Sequence, residues 1–159
     1  IPWDPLKQHL EMTKIASYKS AKCQRTFDVY DHVDSWHFMG IHDHLKYLKN
    51  GYSKVLDHAC REIRHKRLSR ENAINLVNYY SSHKPLYTDM LLEWLGITKK
   101  SFEFIISRHS KYKYNFKNTN NFLNKSLIKL IEKRGFHSKN DINYDSGIYK
   151  YILFGKGYP

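Results

Sequence analysis

The sequence lacks the loops that mark self-contained nucleotide-dependent enzymes. Its 159 residues include only seven glycines, and these form no glycine-rich phosphate loop, no GxGxxG and no GxSxG sequence. A nucleotide-dependent enzyme complete within these residues is therefore not expected. Only two cysteines occur, Cys23 and Cys60, and they do not form a CxxC pair. This spacing favours reduced thiols and a cytoplasmic protein.

Long apolar runs are also lacking. No segment approaches the twenty or so apolar residues that a membrane-spanning helix requires, so no span is expected. The chain does not open with a charged segment followed by an apolar one, and nothing therefore indicates secretion. It starts at Ile1 rather than at a methionine. We interpret the sequence as a piece of a longer protein.

Positive charge is what the chain has in excess, with a formal net charge of +12. A basic surface suits phosphate-bearing partners, but a chain this rich in Lys, Asn, Ile and Tyr would also result from A/T-rich coding. For charge alone we prefer that second explanation. Tyr112, Tyr114 and Phe116 alternate with lysines, as suits single-stranded nucleic acid. Because no RNA-binding signature accompanies them, nucleic-acid binding is kept only as the alternative function.

Apolar periodicity predicts a mainly α-helical domain with little strand of its own. Residues at helical spacing predict helices over 6–18, 53–66, 86–95 and 125–134, and further helices around Leu45, Val77 and Ile105. Ser69 and Thr98 are placed as N-caps and Gly96 as a C-cap. The buried side of helix 53–66 is expected to comprise Val55, Leu56, Ala59, Cys60 and Ile63.

A polar stripe on the predicted helix 53–66 is the main candidate site. At spacings i, i+3, i+4, i+7 and i+11 it carries Lys54, Asp57, His58, Arg61 and His65, with Arg64 beside it. Lys and Arg in such a row can hold phosphate or carboxylate, and an Asp can bind a sugar hydroxyl. The competing interpretation is a solvated face laced by pairs such as Asp57–Arg61, and spacing alone favours it.

Histidines and aspartates are frequent between residues 31 and 58, yet no metal site is predicted. The candidates are His32, His37, His42, His44 and His58 with Asp31, Asp34 and Asp43. A metal needs ligands that converge, whereas three consecutive residues such as His42, Asp43 and His44 point in different directions on a helix.

Three segments, taken in order, resemble one known family. They are IPWDP (1–5), GIHDHLKYLKNGYSKVLDHACREIRHKRLSRENAINLV (40–77) and LLEWLGITKKSFEFI (91–105). Together they resemble the C-terminal half of the N-acetyl sugar amidotransferases, lipopolysaccharide or O-antigen biosynthesis proteins of the PP-loop ATP pyrophosphatase superfamily. The positions that correspond to the family's pattern are Asn50-Gly51, Lys54, Asp57, Ala59, Ile63-Arg64 and 69–73. Lys54 stands where the family usually has Arg, and Asn50 where it has Phe.

The resemblance implies the helical C-terminal region of an α/β PP-loop enzyme. Residues 1–35 would be the end of, or the linker from, an N-terminal PP-loop domain absent from this sequence. Residues 36–109 would form the helical region, and 110–159 a basic tail with a short helix. ATP with Mg²⁺ would be bound mainly by the N-terminal domain, so that this part alone is expected to be inactive.

The implied reaction converts the acetamido group of a nucleotide sugar to an acetamidino group. ATP would adenylate the acetamido oxygen with release of pyrophosphate, and ammonia from a glutaminase subunit would displace AMP. The resemblance implies substrate binding by Lys54, Asp57 and Arg64, with His42 and Asp43 as further candidates, and it assigns no catalytic residue. A helical scaffold that only packs against a partner domain is the third possibility.

Overall fold

A computed structural model of the protein describes residues 3–16, 23–28 and 36–111. These residues form six helices and contain no β-strand, which confirms the predicted mainly α fold. The helices are α1 (Pro5–Ile15), α2 (Trp36–Asn50), α3 (Lys54–Arg64), α4 (Arg70–Ser82), α5 (Thr88–Leu95) and α6 (Lys99–His109). The helix predicted over 125–134 lies outside the described residues, as does the aromatic and basic segment 112–117.

The helix ends follow from local sequence. Asp4 precedes Pro5 and accepts hydrogen bonds from two backbone N–H groups in the first turn of α1. Ser69 and Thr98 cap α4 and α6 in the same way, at 3.3 and 3.2 Å. Gly96 ends α5 with a φ of +67°, which a residue without a Cβ adopts at little cost. The predicted caps at Ser69, Thr98 and Gly96 are confirmed.

The main apolar core lies between α3 and α4. It consists of Val55, Ala59, Leu68, Ala73, Leu76 and Tyr80, with Phe27 and Ile63 packed against it. Burial of Val55 and Ala59 agrees with the periodicity. Leu56, predicted to be buried, is 38% exposed, whereas His58 and Glu62 are buried. The prediction for Leu56 was wrong because α3 turns charged and polar residues inward, towards partners that lie outside the helix.

A second layer is formed by α2 packed against α5 and α6. Phe38 of α2 stacks on Trp94 of α5 with ring centroids 6.0 Å apart. Beyond the end of α6, the backbone N–H of Lys111 donates to the carbonyl oxygen of Leu48 at 3.1 Å. The short link around Gly96 makes α5 and α6 neighbours.

An irregular segment, residues 23–28, runs between the two layers. It contains neither helix nor strand. Its polar side chains of Arg25, Thr26 and Asp28 are nevertheless buried. Each of them bonds to a helix, so the segment joins α2, α3 and α4 through polar contacts.

Two further expectations concern cysteines and membranes. Cys23 and Cys60 are both free thiols, as their spacing indicates. Within the three described ranges, none of the helices combines the length and the apolar character needed to cross a bilayer.

Candidate functional site

A cleft of about 490 Å³ opens between α2, the loop joining α4 to α5, and α6. Its size falls in the range of small-molecule sites. The lining residues are His44 of α2, 82–86 from the end of α4 and the loop, Thr88 and Asp89 of α5, and Lys99, Phe102, Glu103 and Ile106 of α6. Since these come from three separate stretches of sequence, the tertiary fold alone creates the cleft.

Opposite charges line the cleft in equal number. Lys84 and Lys99 are exposed cations, and Asp89 and Glu103 are exposed carboxylates. Lysine only donates hydrogen bonds and an ionised carboxylate only accepts them, so the cleft offers both functions to a ligand. Phe102 is half-buried and adds an aromatic surface.

His44 contributes an uncharged imidazole to one wall. Burial lowers the pKa of His44 to about 4, with the nearby Arg25 charge acting in the same direction and Asp43 opposing both. The ring is therefore neutral at pH 7. A neutral imidazole has one donor and one acceptor nitrogen and adds no charge to the cleft.

The loop that forms one wall is held in place from behind by residues 23–28. The guanidinium of Arg25 donates to the backbone carbonyl of His83 and, at 3.3 Å, to that of Ser81. The side-chain oxygen of Gln24 accepts from the backbone N–H of Leu86 at 3.2 Å. The wall is thus fixed by the chain itself before any ligand arrives.

Asp43 belongs to the support of this wall. Its Oδ2 lies 2.8 Å from Nε of Arg25, and the two side chains are 3% and 1% exposed. Its Oδ1 accepts from the backbone N–H of Lys54 at 2.5 Å, which ties α2 to the start of α3. Both carboxylate oxygens of this predicted substrate-binding residue therefore hold the fold together.

The predicted stripe on α3 is divided between two sides of the helix. Asp57 is exposed and pairs with Lys46 of α2 at 3.0 Å. His58 and Arg61 turn inward, where Nδ1 of His58 bonds Thr26 at 2.7 Å and Arg61 pairs with Asp28. The proposed Asp57–Arg61 pair is therefore replaced by two pairs that join α3 to other parts of the chain.

Two of the remaining candidates lie at opposite ends of α3. Lys54 is half-buried at the first position and Arg64 is exposed at the last. Ten residues at 1.5 Å each place them about 15 Å apart along the helix axis. His42 is exposed on α2. None of the five predicted substrate-binding residues lines the cleft.

Arg67 and two carboxylates, those of Asp4 and Glu62, fasten α1 to the end of α3. Arg67 donates to both oxygens of Glu62, at 2.7 and 2.9 Å, and to both oxygens of Asp4, at 2.8 and 3.0 Å. Burial would raise the pKa of Asp4, but hydrogen bonding and the charge of Arg67 outweigh it and lower that pKa. The hydrogen bond to Glu62 is the largest cause that raises the pKa of Arg67.

Metal-ligating side chains are not grouped in the part of the chain that the structure describes. Within that part no three His, Cys, Asp or Glu side chains are grouped to hold a metal ion. The buried carboxylates of Asp28 and Asp43 each face an arginine instead. The cleft itself has two carboxylates, both exposed.

The cleft was missed from the sequence. Lys99 follows the predicted cap Thr98, but this local pattern does not indicate which loop lies opposite it. Polar residues on a loop and at a helix start are also ordinary surface features. The bonds from Gln24 and Arg25 that fix the α4–α5 loop are not visible in any local pattern.

Comparison with known proteins gives one family. Residues 18–133, which include α2 to α6 and most of the chain, match the family model described as LPS biosynthesis protein WbpG-like, C-terminal domain. No curated protein and no solved structure matches the chain significantly.

Proposed function

The chain belongs to the WbpG-like C-terminal domains of lipopolysaccharide biosynthesis proteins, and from this membership we propose that it serves an N-acetyl sugar amidotransferase. The family match over 18–133 carries the proposal. The ordered resemblance over residues 1–110 supports it, because that resemblance points to the same biosynthetic process. The alternative function is nucleic-acid binding, which rests on the segment 112–117. The described residues add no support for it.

The proposed reaction exchanges the acetamido oxygen of a nucleotide sugar for nitrogen. Ammonia, supplied by a glutaminase subunit, would be the nitrogen source. ATP would make the departing oxygen a good leaving group. The family resemblance implies that a PP-loop domain of a longer protein binds ATP and Mg²⁺. The proposal therefore assigns that chemistry to such a domain and sugar-nucleotide binding to this one.

An extended ligand would explain the spacing of the predicted contacts on α3. One phosphate cannot touch both Lys54 and Arg64 across about 15 Å of helix. A nucleotide sugar is long enough to place its diphosphate near one end and its nucleoside near the other. His42 on α2 and Asp57 beside Lys46 would border the same surface.

Kinetics of the full-length protein test the proposal. Pyrophosphate release is measured with ATP, ammonium and a panel of nucleotide-activated N-acetyl sugars, for the wild type and for Lys54→Ala and Arg64→Ala. Each substitution is expected to raise KM for the nucleotide sugar about tenfold, the loss typical of one hydrogen bond to a charged group. Lys49→Ala, an exposed cation at the end of α2, is the matched control and should leave KM unchanged.

Two results would count against separate parts of the proposal. Absence of sugar-dependent pyrophosphate release with every member of the panel removes the amidotransferase assignment. Sugar-dependent release with an unchanged KM in both variants keeps that assignment and removes the role of Lys54 and Arg64.

A further inference from the structure

We propose that the cleft between α2, the α4–α5 loop and α6 binds a carbohydrate ring, with Asp89 and Glu103 accepting from its hydroxyl groups and Lys84 and Lys99 donating to them. This site is distinct from the α3 surface, because none of the five residues assigned to substrate lines it. The inference stands on the cleft's own residues. The proposed function serves only to choose the sugars tested first.

The charge balance of the cleft selects against polyphosphates. Although the chain has a formal charge of +12, the two lysines here are offset by two carboxylates. A polyphosphate or a nucleic-acid backbone would bring negative charge close to Asp89 and Glu103, at a cost that their exposure reduces but does not remove. A sugar carries no such charge, and each of its hydroxyls can both donate and accept.

Two hydroxyl groups of the cleft lining, those of Ser82 and Thr88, add acceptors for the same ligand. The hydroxyl of Ser82 donates to the carbonyl oxygen of Tyr79 at 2.5 Å, and that of Thr88 donates to the carbonyl oxygen of Pro85 at 3.3 Å. Because both hydrogens are used inside the protein, the two hydroxyl oxygens remain as acceptors. His83 bonds the same Tyr79 carbonyl through Nδ1 at 2.8 Å, which requires the hydrogen on Nδ1.

The apolar part of the lining suits the face of a pyranose ring. Phe102 and Ile106 are half-buried on α6, and Pro85 and Leu86 lie on the loop. A site that combines apolar walls with a few placed polar groups is typical of small-molecule binding. The volume of about 490 Å³ accommodates a monosaccharide with a substituent.

The wall is built before the ligand binds. Gln24 holds Leu86, and Arg25 holds the carbonyls of Ser81 and His83. Gly40 lies so close to Gln24 that a Cβ at this position would come within 3.1 Å of the Gln24 Cδ. A site whose loop is already ordered loses less conformational entropy on binding.

Amide chemical shifts of the ¹⁵N-labelled 159-residue chain test the inference. The chain is titrated with N-acetylhexosamines and their 1-phosphates, with unsubstituted hexoses, and with tripolyphosphate. At least one sugar is expected to shift the amides of Leu86 and Phe102, and tripolyphosphate should not compete with it. Glu103→Gln and Lys99→Gln should each raise Kd about tenfold.

Matched controls come from the same helices. Glu93→Gln on α5 and Lys100→Gln on α6 remove the same charges from exposed positions outside the cleft and should leave Kd unchanged. Equal effects of Glu103→Gln and Glu93→Gln would overturn the inference. So would tripolyphosphate binding at the same amides, or the absence of shifts there with every sugar at millimolar concentration.

The outcome for this cleft and the outcome for the proposed reaction are separable. Hexose binding in the cleft, without any sugar-dependent pyrophosphate release by the full-length protein, supports the cleft and contradicts the amidotransferase. Turnover of a nucleotide sugar, without sugar-induced shifts at Leu86 and Phe102, supports the reaction and overturns the cleft assignment.

Discussion

The substitution Asp43→Asn separates a structural carboxylate from a substrate-binding one. In the wild type, Asp43 faces the buried guanidinium of Arg25 and also accepts from the backbone N–H of Lys54. Asparagine has nearly the same shape but only one oxygen. With that oxygen towards Lys54, its NH₂ group points at a donor of Arg25. With the amide reversed, two donors meet at the start of α3 instead.

The expected cost follows from the burial of the pair. Removing one partner of a buried ion pair typically costs about 3–5 kcal/mol, because the other charge is left uncompensated. For a domain of this size, one kcal/mol lowers Tm by roughly 2–4 °C, so a decrease of roughly 6–20 °C is expected. This is a large fraction of the total stability of a typical domain.

Asp57→Asn is the matched control. Asp57 was proposed for the same role as Asp43, but it is 57% exposed and its partner Lys46 is also accessible. Pairs of this kind contribute about 0–1 kcal/mol. Urea unfolding of the full chain, followed by circular dichroism, should therefore show a cost for Asp43→Asn several times that for Asp57→Asn.

A double substitution tests the pairing itself. Replacing Arg25 by Met together with Asp43→Leu removes both charges, so the double variant should be more stable than the sum of the single effects predicts. Recovery will be partial, because Arg25 also bonds the carbonyls of Ser81 and His83. Unfolding free energies of Asp43→Asn and Asp57→Asn within about 0.5 kcal/mol of each other would refute the structural assignment.

Two further substitutions probe the walls of the cleft. His44 has a folded pKa near 4, below its unfolded value of 6.5, so the unfolded state binds more protons as the pH falls from 6.5 to 4 and stability is lost over that window. Discounted for the partial exposure of His44, this loss of stability is about 1–2 kcal/mol between pH 7 and pH 5. His44→Gln should remove the loss when the free energy of unfolding is compared at these two pH values. An unchanged pH dependence of stability in this variant would contradict the lowered pKa of His44. Gly40→Ala gains about 1 kcal/mol of helix propensity but displaces Gln24 from Leu86. The free energy of unfolding should therefore change by less than about 1 kcal/mol, while the backbone amide hydrogen of Leu86 exchanges faster with solvent. An unaltered rate of hydrogen exchange at Leu86 would show that Gln24 does not hold the loop.

Helix ends were predictable because they depend on neighbours in sequence. Ser69 and Thr98 accept from backbone groups three residues away, and Gly96 adopts its conformation without help from other elements. Such signals are contained within a single turn. For the same reason the mainly α character was visible in the periodicity.

Burial on α3 was not predictable from periodicity, because its buried polar residues are compensated by partners outside the helix. Arg61 pairs with Asp28, and Glu62 binds Arg67, which in turn holds Asp4. A charged side chain is buried only where an opposite charge or hydrogen bonds compensate it. The periodicity shows which residues share a face of the helix, but it does not show which face packs against another part of the chain.

The five predicted substrate-binding residues show the same difference between what local sequence indicates and what contacts between helices create. The family resemblance selected positions along one stretch of chain, and on that stretch Asp43 supports the fold while Arg64 and His42 stay exposed. The cleft instead depends on bonds from residues 23–28 to the α4–α5 loop, across about sixty positions of sequence. Resemblance in sequence thus identified the family, whereas the cleft follows only from contacts between α2, the α4–α5 loop and α6.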